Sequence, residues 1–157
     1  MKIFVTGATG LVGKRLVDTL SEQQHEVVCL VRDPSRSPLD RNKVTVACGD
    51  LLDMGSYRRC LRGIDLVYNC AALTGFWGIK WQEYYSNNVE ATMNLLKACS
   101  EADVPNVVHA STTLLHGACD DAVPRKETDP PGRSLRGTRN PSWQRSRPWP
   151  SLGGRAA

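Results

Sequence analysis

Thr6-Gly7-Ala8-Thr9-Gly10-Leu11-Val12-Gly13 decides how the rest of this chain is read. Three glycines recur at intervals of three, immediately after the apolar run Lys2–Thr6 and immediately before Leu11–Gln24, whose apolar positions Leu11, Val12, Leu16, Val17 and Leu20 follow a helical spacing. In this strand–turn–helix setting Gly7 permits a tight turn, Gly10 lets the backbone approach a pyrophosphate, and Gly13 lets the helix lie close to the strand. The amides at the helix start then face an anion with the helix dipole behind them, and Thr9 is counted with the same loop.

Outward from this loop the pattern alternates. Glu26–Val31 reads as a β-branched strand, Lys43–Ala47 as a third, Asp65–Asn69 as a fourth and Asn106–Ala110 as a fifth. Asp53–Leu61 and Tyr84–Ala102 read as helices, the second with a stripe of Val89, Met93, Leu96 and Cys99 or Ser100. Strands alternating with helices specify an α/β architecture: a Rossmann-type doubly wound parallel sheet, here truncated after about five strands.

The 157 residues fit one domain of ordinary size, with 41% hydrophobic and 23% charged residues. No apolar run reaches the roughly 20 residues of a membrane span, and the N-terminus lacks the apolar stretch of a secretory signal. Six cysteines without a close pair point to buried free thiols in a reducing cytoplasm rather than to disulfides or a metal site. The net charge of +4 is uneven: every one of the 16 acids lies within residues 1–131, whereas residues 132–157 carry only basic charge, on Arg133, Arg136, Arg139, Arg145, Arg147 and Arg155. Two parts are expected, a dinucleotide-binding portion over 1–131 and a basic tail without periodicity over 132–157.

Thr6-Gly7-x-x-Gly10-x-x-Gly13, Gly49-Asp50-Leu51, Asn69-x-Ala71-Ala72, Asn88-Val89-x-x-Thr92-x-Asn94-Leu95 and Ser111-Thr112-Thr113 follow one another in an order that resembles the extended short-chain dehydrogenase/reductases, the NAD-dependent epimerase/dehydratase family. Ala71 to Gly78 with Tyr84-Tyr85 is similar to its 3β-hydroxysteroid dehydrogenase and dihydroflavonol reductase-like branch. The resemblance implies hydride transfer between a nicotinamide cofactor and a hydroxyl or carbonyl of a small molecule. It also implies that Gly7, Gly10 and Gly13 hold the pyrophosphate with Leu11 and Val12 supplying amides, Asp50 takes the adenine amino group, and Leu51 packs on the adenine. Ala71 and Ala72 then line the ribose–nicotinamide path, and Asn88 steadies the active-site helix. Thr112, or Ser111 one step earlier, takes the place of the hydroxyl that bonds the substrate oxygen. Arg32 directly follows a strand that ends without an acid, which suits a 2′-phosphate and favours NADP, with NAD as second choice. The aromatics Phe76, Trp77, Trp81, Tyr84 and Tyr85 fit either a bulky apolar substrate or packing. His109 and His116 read as core or surface histidines.

One requirement of that chemistry is missing. The family's Tyr-x-x-x-Lys pair, in which the lysine lowers the tyrosine pKa, is expected about two dozen residues beyond the strand-five hydroxyl. The last tyrosine here is Tyr85 and the last lysine Lys126. If Gly137 is encoded GGT, Pro141 CCA and Ser142 AGC or AGT, the shifted reading frame restores a tyrosine about 25 residues after Thr112 and a lysine four codons later. Trp143-Gln144 and Trp149-Pro150 force alanine in that frame whatever the codons. A frameshift between Pro131 and Gly137 is therefore expected, leaving this chain without turnover. The alternative is a non-catalytic dinucleotide-binding module with a basic tail, whose arginines neutralise phosphates while Trp143 and Trp149 stack on single-stranded bases, although no specific nucleic acid or membrane is indicated and the oligomeric state stays open.

Overall fold

The computed structural model describes residues 1–75, 78–112, 126, 128 and 129. The sequence-stretch expectations on Phe76, Trp77, Thr113, His116, Cys119 and residues 132–157 lie outside them. Two compact units are distinguished, Met1–Ala110 and Ser111–Ala157. In the second, Lys126 and Asp129 close a short turn: the Asp129 amide donates to the Lys126 carbonyl at 3.0 Å, and the Lys126 amide donates to Asp129 Oδ2 at 2.8 Å.

The first unit is an α/β sheet domain. Its strands are β1 (Lys2–Thr6), β2 (Glu26–Val31), β3 (Thr45–Cys48), β4 (Leu66–Asn69) and β5 (Asn106–His109). They are all parallel and lie in the order β3-β2-β1-β4-β5. Side chains alternate across a strand, and here both faces are covered. Ile3 and Val5 of β1 join Val27, Cys29 and Val31 of β2 in one core beneath α1 (Leu11–Glu22), which contributes Val17 and Leu20. Phe4, Val28 and Leu30 face the opposite way, into a core with Val67, Tyr57 and Leu61. That second core is closed by α2 (Met54–Tyr57), the 3₁₀ turn Arg58–Leu61 and the long helix that ends the domain. The long helix runs as α3 (Trp81–Tyr85), a π-helical segment (Ser86–Glu90) and α4 (Ala91–Glu101). Sheets buried on both faces read as continuous apolar runs, which is why β1 and β2 are found with the expected bounds.

Several expectations need correcting. The buried stripe of the long helix is Ala91, Thr92, Leu95, Ala98 and Cys99, whereas Val89 and Met93 are 42% and 41% exposed and Ser100 is exposed. The sheet takes the helix face with small residues, because these allow the closest approach. On α1, Leu11 is 92% and Val12 64% exposed, and burial starts at Gly13. Asp53–Leu61 is not one helix: Gly55 and Ser56 are weak helix formers, and four α-helical residues capped by Asp53, whose side chain accepts from the Gly55 amide at 3.0 Å, give way to the 3₁₀ turn. Of the cysteines expected to be buried, Cys29 and Cys99 are; Cys60 and Cys70 are half-buried, and Cys48, at the end of edge strand β3, is exposed.

Two predictions arise from these cores. Tyr57 is fully buried and stacks on Phe4 at 6.5 Å, yet its hydroxyl has no hydrogen-bond partner among the described residues. An unsatisfied buried hydroxyl costs about 1–3 kcal/mol. Tyr57→Phe is therefore expected to raise the melting temperature, and a lowered one would show that the hydroxyl is satisfied. Burial also pushes the Cys29 thiol from 9.0 up to about 12 and the Cys99 thiol from 9.0 up to about 11. The folded state holds these protons more tightly than the unfolded chain does, so their contribution is fully present below pH 9 and drains away as pH rises toward 11–12. Thermal melts should show this alkaline loss, and Cys29→Ala should flatten the slope with pH even where it lowers stability throughout. An unchanged slope would refute the assignment.

Candidate functional site

The sheet order reverses at β1: the chain goes from β1 to β2 on one side, and later to β4 on the other. Side-chain-lined crevices form beyond the carboxyl ends of strands at such a switch point. A cleft of about 260 Å³ lies there, floored by Thr6, Gly7, Thr9 and Gly10. Gly7 has φ +67°, and a Cβ on it would stand 2.5 Å from the Cys70 carbonyl carbon and 2.6 Å from the Ala71 nitrogen. Only glycine allows the loop to pass this close to the end of β4. The Gly10 amide donates to the Gly7 carbonyl at 2.9 Å, closing the turn. As N-cap of α1, Gly10 offers no side-chain acceptor, and no acid stands in the first turn. The first amides of α1 are left for an external anion, which is what a pyrophosphate requires.

One end of the cleft is bounded by Leu30, Val31 and Arg32 from β2 and its exit, and by Gly49, Asp50 and Leu51 after β3. Asp50 is fixed at both ends: its amide donates to Ser56 Oγ at 3.0 Å, and its Oδ1 accepts from the Leu52 amide at 2.9 Å. Oδ2 has no partner among the described residues and remains available to an amino group. Asn94 Nδ2 ties this turn to α4 through the Leu51 and Leu52 carbonyls at 3.2 and 3.3 Å. Arg32 is exposed and its carbonyl accepts from the Cys48 thiol at 3.6 Å. The adjacent Asp33 accepts from the Ser35 hydroxyl at 2.6 Å and the Ser35 amide at 3.0 Å, which hold its carboxyl below the usual value and commit it to capping the 3₁₀ turn Pro34–Arg36.

The facing wall comes from Cys70, Ala71, Ala72 and Leu73, with Asn87 and Ala91 of the long helix. Asn88 does not line the cleft but braces it. Its Oδ1 accepts from the Leu73 amide at 2.7 Å, and its Nδ2 donates to the Leu73 carbonyl at 3.1 Å. Removing it strands two partly buried backbone groups, so Asn88→Ala is expected to weaken dinucleotide binding roughly tenfold. Fluorescence titration checks this, and unchanged affinity would mean the wall holds its shape alone.

Of the residues singled out in the sequence, Gly7, Thr9, Gly10, Arg32, Asp50, Leu51, Ala71 and Ala72 line this cleft. Gly13 lies buried beneath the loop, while Leu11 and Val12 stand exposed in the first turn of α1. Ser111 and Thr112 are exposed and belong to the second unit. Sequence reasoning missed Thr6, Gly49, Cys70, Leu73 and Asn87, each one residue from a position it singled out, as well as Leu30, Val31 and Ala91. His109 is exposed, in keeping with a surface histidine, and its Nδ1 lies 3.0 Å from Asn69 Nδ2, a contact the spacing did not reveal. No metal-ligating cluster and no helix long and apolar enough to cross a membrane occur among the described residues.

The profile of the NAD dependent epimerase/dehydratase family matches residues 3–141. The chain belongs to that family. This epimerase/dehydratase chain is 34% identical over 135 residues to a 3-beta-hydroxysteroid dehydrogenase of Mycolicibacterium neoaurum, covering 82% of this chain and 37% of the relative. It is 34% identical over 148 residues to a UDP-glucose 4-epimerase of Erwinia amylovora, covering 84% and 42%. Among solved structures it resembles MoeE5 in complex with UDP-glucose and NAD, with a TM-score of 0.73 and 35% identity over 86% of this chain and 43% of that one. The chain therefore spans about two fifths of the length of the relatives it matches.

Proposed function

We propose that residues 1–131 are the dinucleotide-binding part of an oxidoreductase or epimerase that moves hydride between a nicotinamide and a hydroxyl or carbonyl of a small molecule. The observation that carries this reading is the cleft at the β1/β4 switch point, with its glycine turn, acid-free helix start and Asp50 at one end. The nicotinamide supplies the hydride chemistry when bound. The chain's own residues bind and orient. The α1 amides and Gly10 receive the pyrophosphate, Asp50 Oδ2 accepts from the adenine amino group beside Leu51, and Ala71 and Ala72 leave room for the second ribose. Arg32 meets a 2′-phosphate, so NADP is favoured over NAD, although the MoeE5 relative was solved with NAD. Ser111 or Thr112 would bond the substrate oxygen. The buried free thiols Cys29 and Cys99 suit a reducing cytoplasm.

With no tyrosine after Tyr85 and no lysine after Lys126, nothing in this chain provides the paired acid/base. That favours a second reading, a cofactor-binding module without turnover, with residues 132–157 arising from a shifted reading frame. Titration with NADPH and NADH, followed by assays on steroid and nucleotide-sugar alcohols, is expected to show binding and no turnover. Absence of binding would refute the first reading, and turnover the second. Sequencing the gene across codons 127–157 tests the frame directly: an open shifted frame containing Tyr-x-x-x-Lys is expected, and an early stop would make the basic tail genuine.

A further inference from the structure

Thr6, Asn69 and His109 are register partners on three adjacent strands, Thr6 opposite Asn69 and Asn69 opposite His109. Their side chains form a continuous relay at the carboxyl end of the sheet. Thr6 Oγ1 donates to Asn69 Oδ1 at 2.6 Å, Asn69 Nδ2 faces His109 Nδ1 at 3.0 Å, and Thr6 Oγ1 in turn accepts from the Ala71 amide at 3.3 Å. Thr6 and Asn69 are 1% and 2% exposed, whereas His109 is exposed, so the relay runs from a buried pair out to the surface, and water does not cheaply replace a partner lost at its Thr6–Asn69 end. Because Oδ1 is engaged by Thr6, the amide presents hydrogens to His109, and Nδ1 must accept. An accepting Nδ1 corresponds to the tautomer with its proton on Nε2.

We infer that His109 is a positioning residue of the dinucleotide cleft, holding the Asn69 amide so that Thr6 keeps the Ala71 backbone at the cleft wall. This rests on the proposed function. His109 is not among the residues that line the cleft, and among the described residues its ring bonds to Asn69, so its influence on binding travels by way of Asn69 and Thr6. The chemistry asks only for an acceptor at the position of Nδ1. The Oδ1 of an asparagine, attached to the same γ carbon, meets that demand; a leucine side chain does not, and a glutamine places its acceptor one atom farther out.

The test uses the full chain. Wild-type, His109→Asn and His109→Leu proteins are titrated with NADPH, with melting temperatures recorded alongside, and the ring nitrogens of His109 are observed by ¹⁵N NMR without ligand. The expected result is binding weakened roughly tenfold in His109→Leu, the factor for one lost, partly buried hydrogen bond whose other partner, Asn69, is buried. Binding should stay within about twofold of wild type in His109→Asn, with an Nδ1 resonance typical of an unprotonated nitrogen. Equal affinity in both variants, equal loss in both, or a protonated Nδ1 would overturn the inference. Failure of the wild type to bind NADPH or NADH would overturn the functional reading itself. The tautomer, read without ligand, reports on the relay separately.

Discussion

Gly13→Val is expected to abolish dinucleotide binding and to destabilise the domain by roughly 3 kcal/mol, the upper end for overpacking a close contact, which for a domain of this size lowers the melting temperature by on the order of 10 °C. A Cβ at Gly13 would overlap the Gly7 carbonyl oxygen, stand 2.7 Å from the Gly7 carbonyl carbon and touch the Ala8 Cα at 3.1 Å. All three are backbone atoms, and none can rotate aside. The Gly7 carbonyl is also the acceptor that closes the turn onto Gly10, so displacing it opens the anion site as it lifts α1 from the sheet. Gly10→Ala supplies the contrast. Its Cβ meets only the Gly7 oxygen, at 3.3 Å, and Gly10 has no positive φ. That variant should fold with a melting temperature near wild type but bind less tightly, because the added methyl lies in the cleft. Differential scanning fluorimetry and NADPH titration separate the two effects. A Gly13→Val protein melting like wild type would show that α1 is not packed on the loop as described.

The contrast between these glycines also shows where legibility ended. Spacing alone assigned Gly7, Gly10 and Gly13 to one loop, since strand, turn and helix are contiguous and local rules govern them. β1 and β2 were legible because burial on both faces leaves unbroken apolar runs. The facing wall was partly hidden because its geometry depends on pairing between residues about sixty positions apart: Thr6 reaches Asn69 only once β1 lies beside β4. The contact of His109 was hidden for the same reason, as its partner Asn69 is 40 residues away. The long helix was misphased for a different one. Two apolar stripes run along it, and hydrophobicity favours the bulkier, through Val89 and Met93, while packing distance to the sheet selects Ala91, Leu95 and Ala98. The role of Asn88 was stated only in general terms, and its two bonds to Leu73 give that role a physical basis.

Arg32→Glu is expected to reverse the cofactor preference, weakening NADPH by about a hundredfold or more while leaving NADH within a few-fold of wild type. β2 lacks an acid at its carboxyl end. A ribose 2′-hydroxyl is gripped by an acid at the end of this strand, and here the strand ends in Leu30 and Val31, both lining the cleft. The first acid is Asp33, and its carboxylate is already engaged by the Ser35 hydroxyl and amide. Freeing it would cost both bonds and the N-cap of the turn that follows. Arg32 forms no ion pair among the described residues, so its guanidinium can meet a phosphate without first losing a partner. A glutamate in its place both removes that attraction and repels the 2′-phosphate, while supplying the acceptor that a free 2′-hydroxyl needs. The ratio of the two dissociation constants is the decisive readout, because it cancels any general damage to the cleft. Arg32→Gln should fall between the two, losing attraction without adding repulsion. Raising the salt concentration should narrow the wild-type ratio, since a largely exposed arginine–phosphate contact is screened. If Arg32→Glu leaves the ratio where it was, Arg32 is a solvated surface residue, and the choice between NADP and NAD is made by other groups around Gly49 and Asp50.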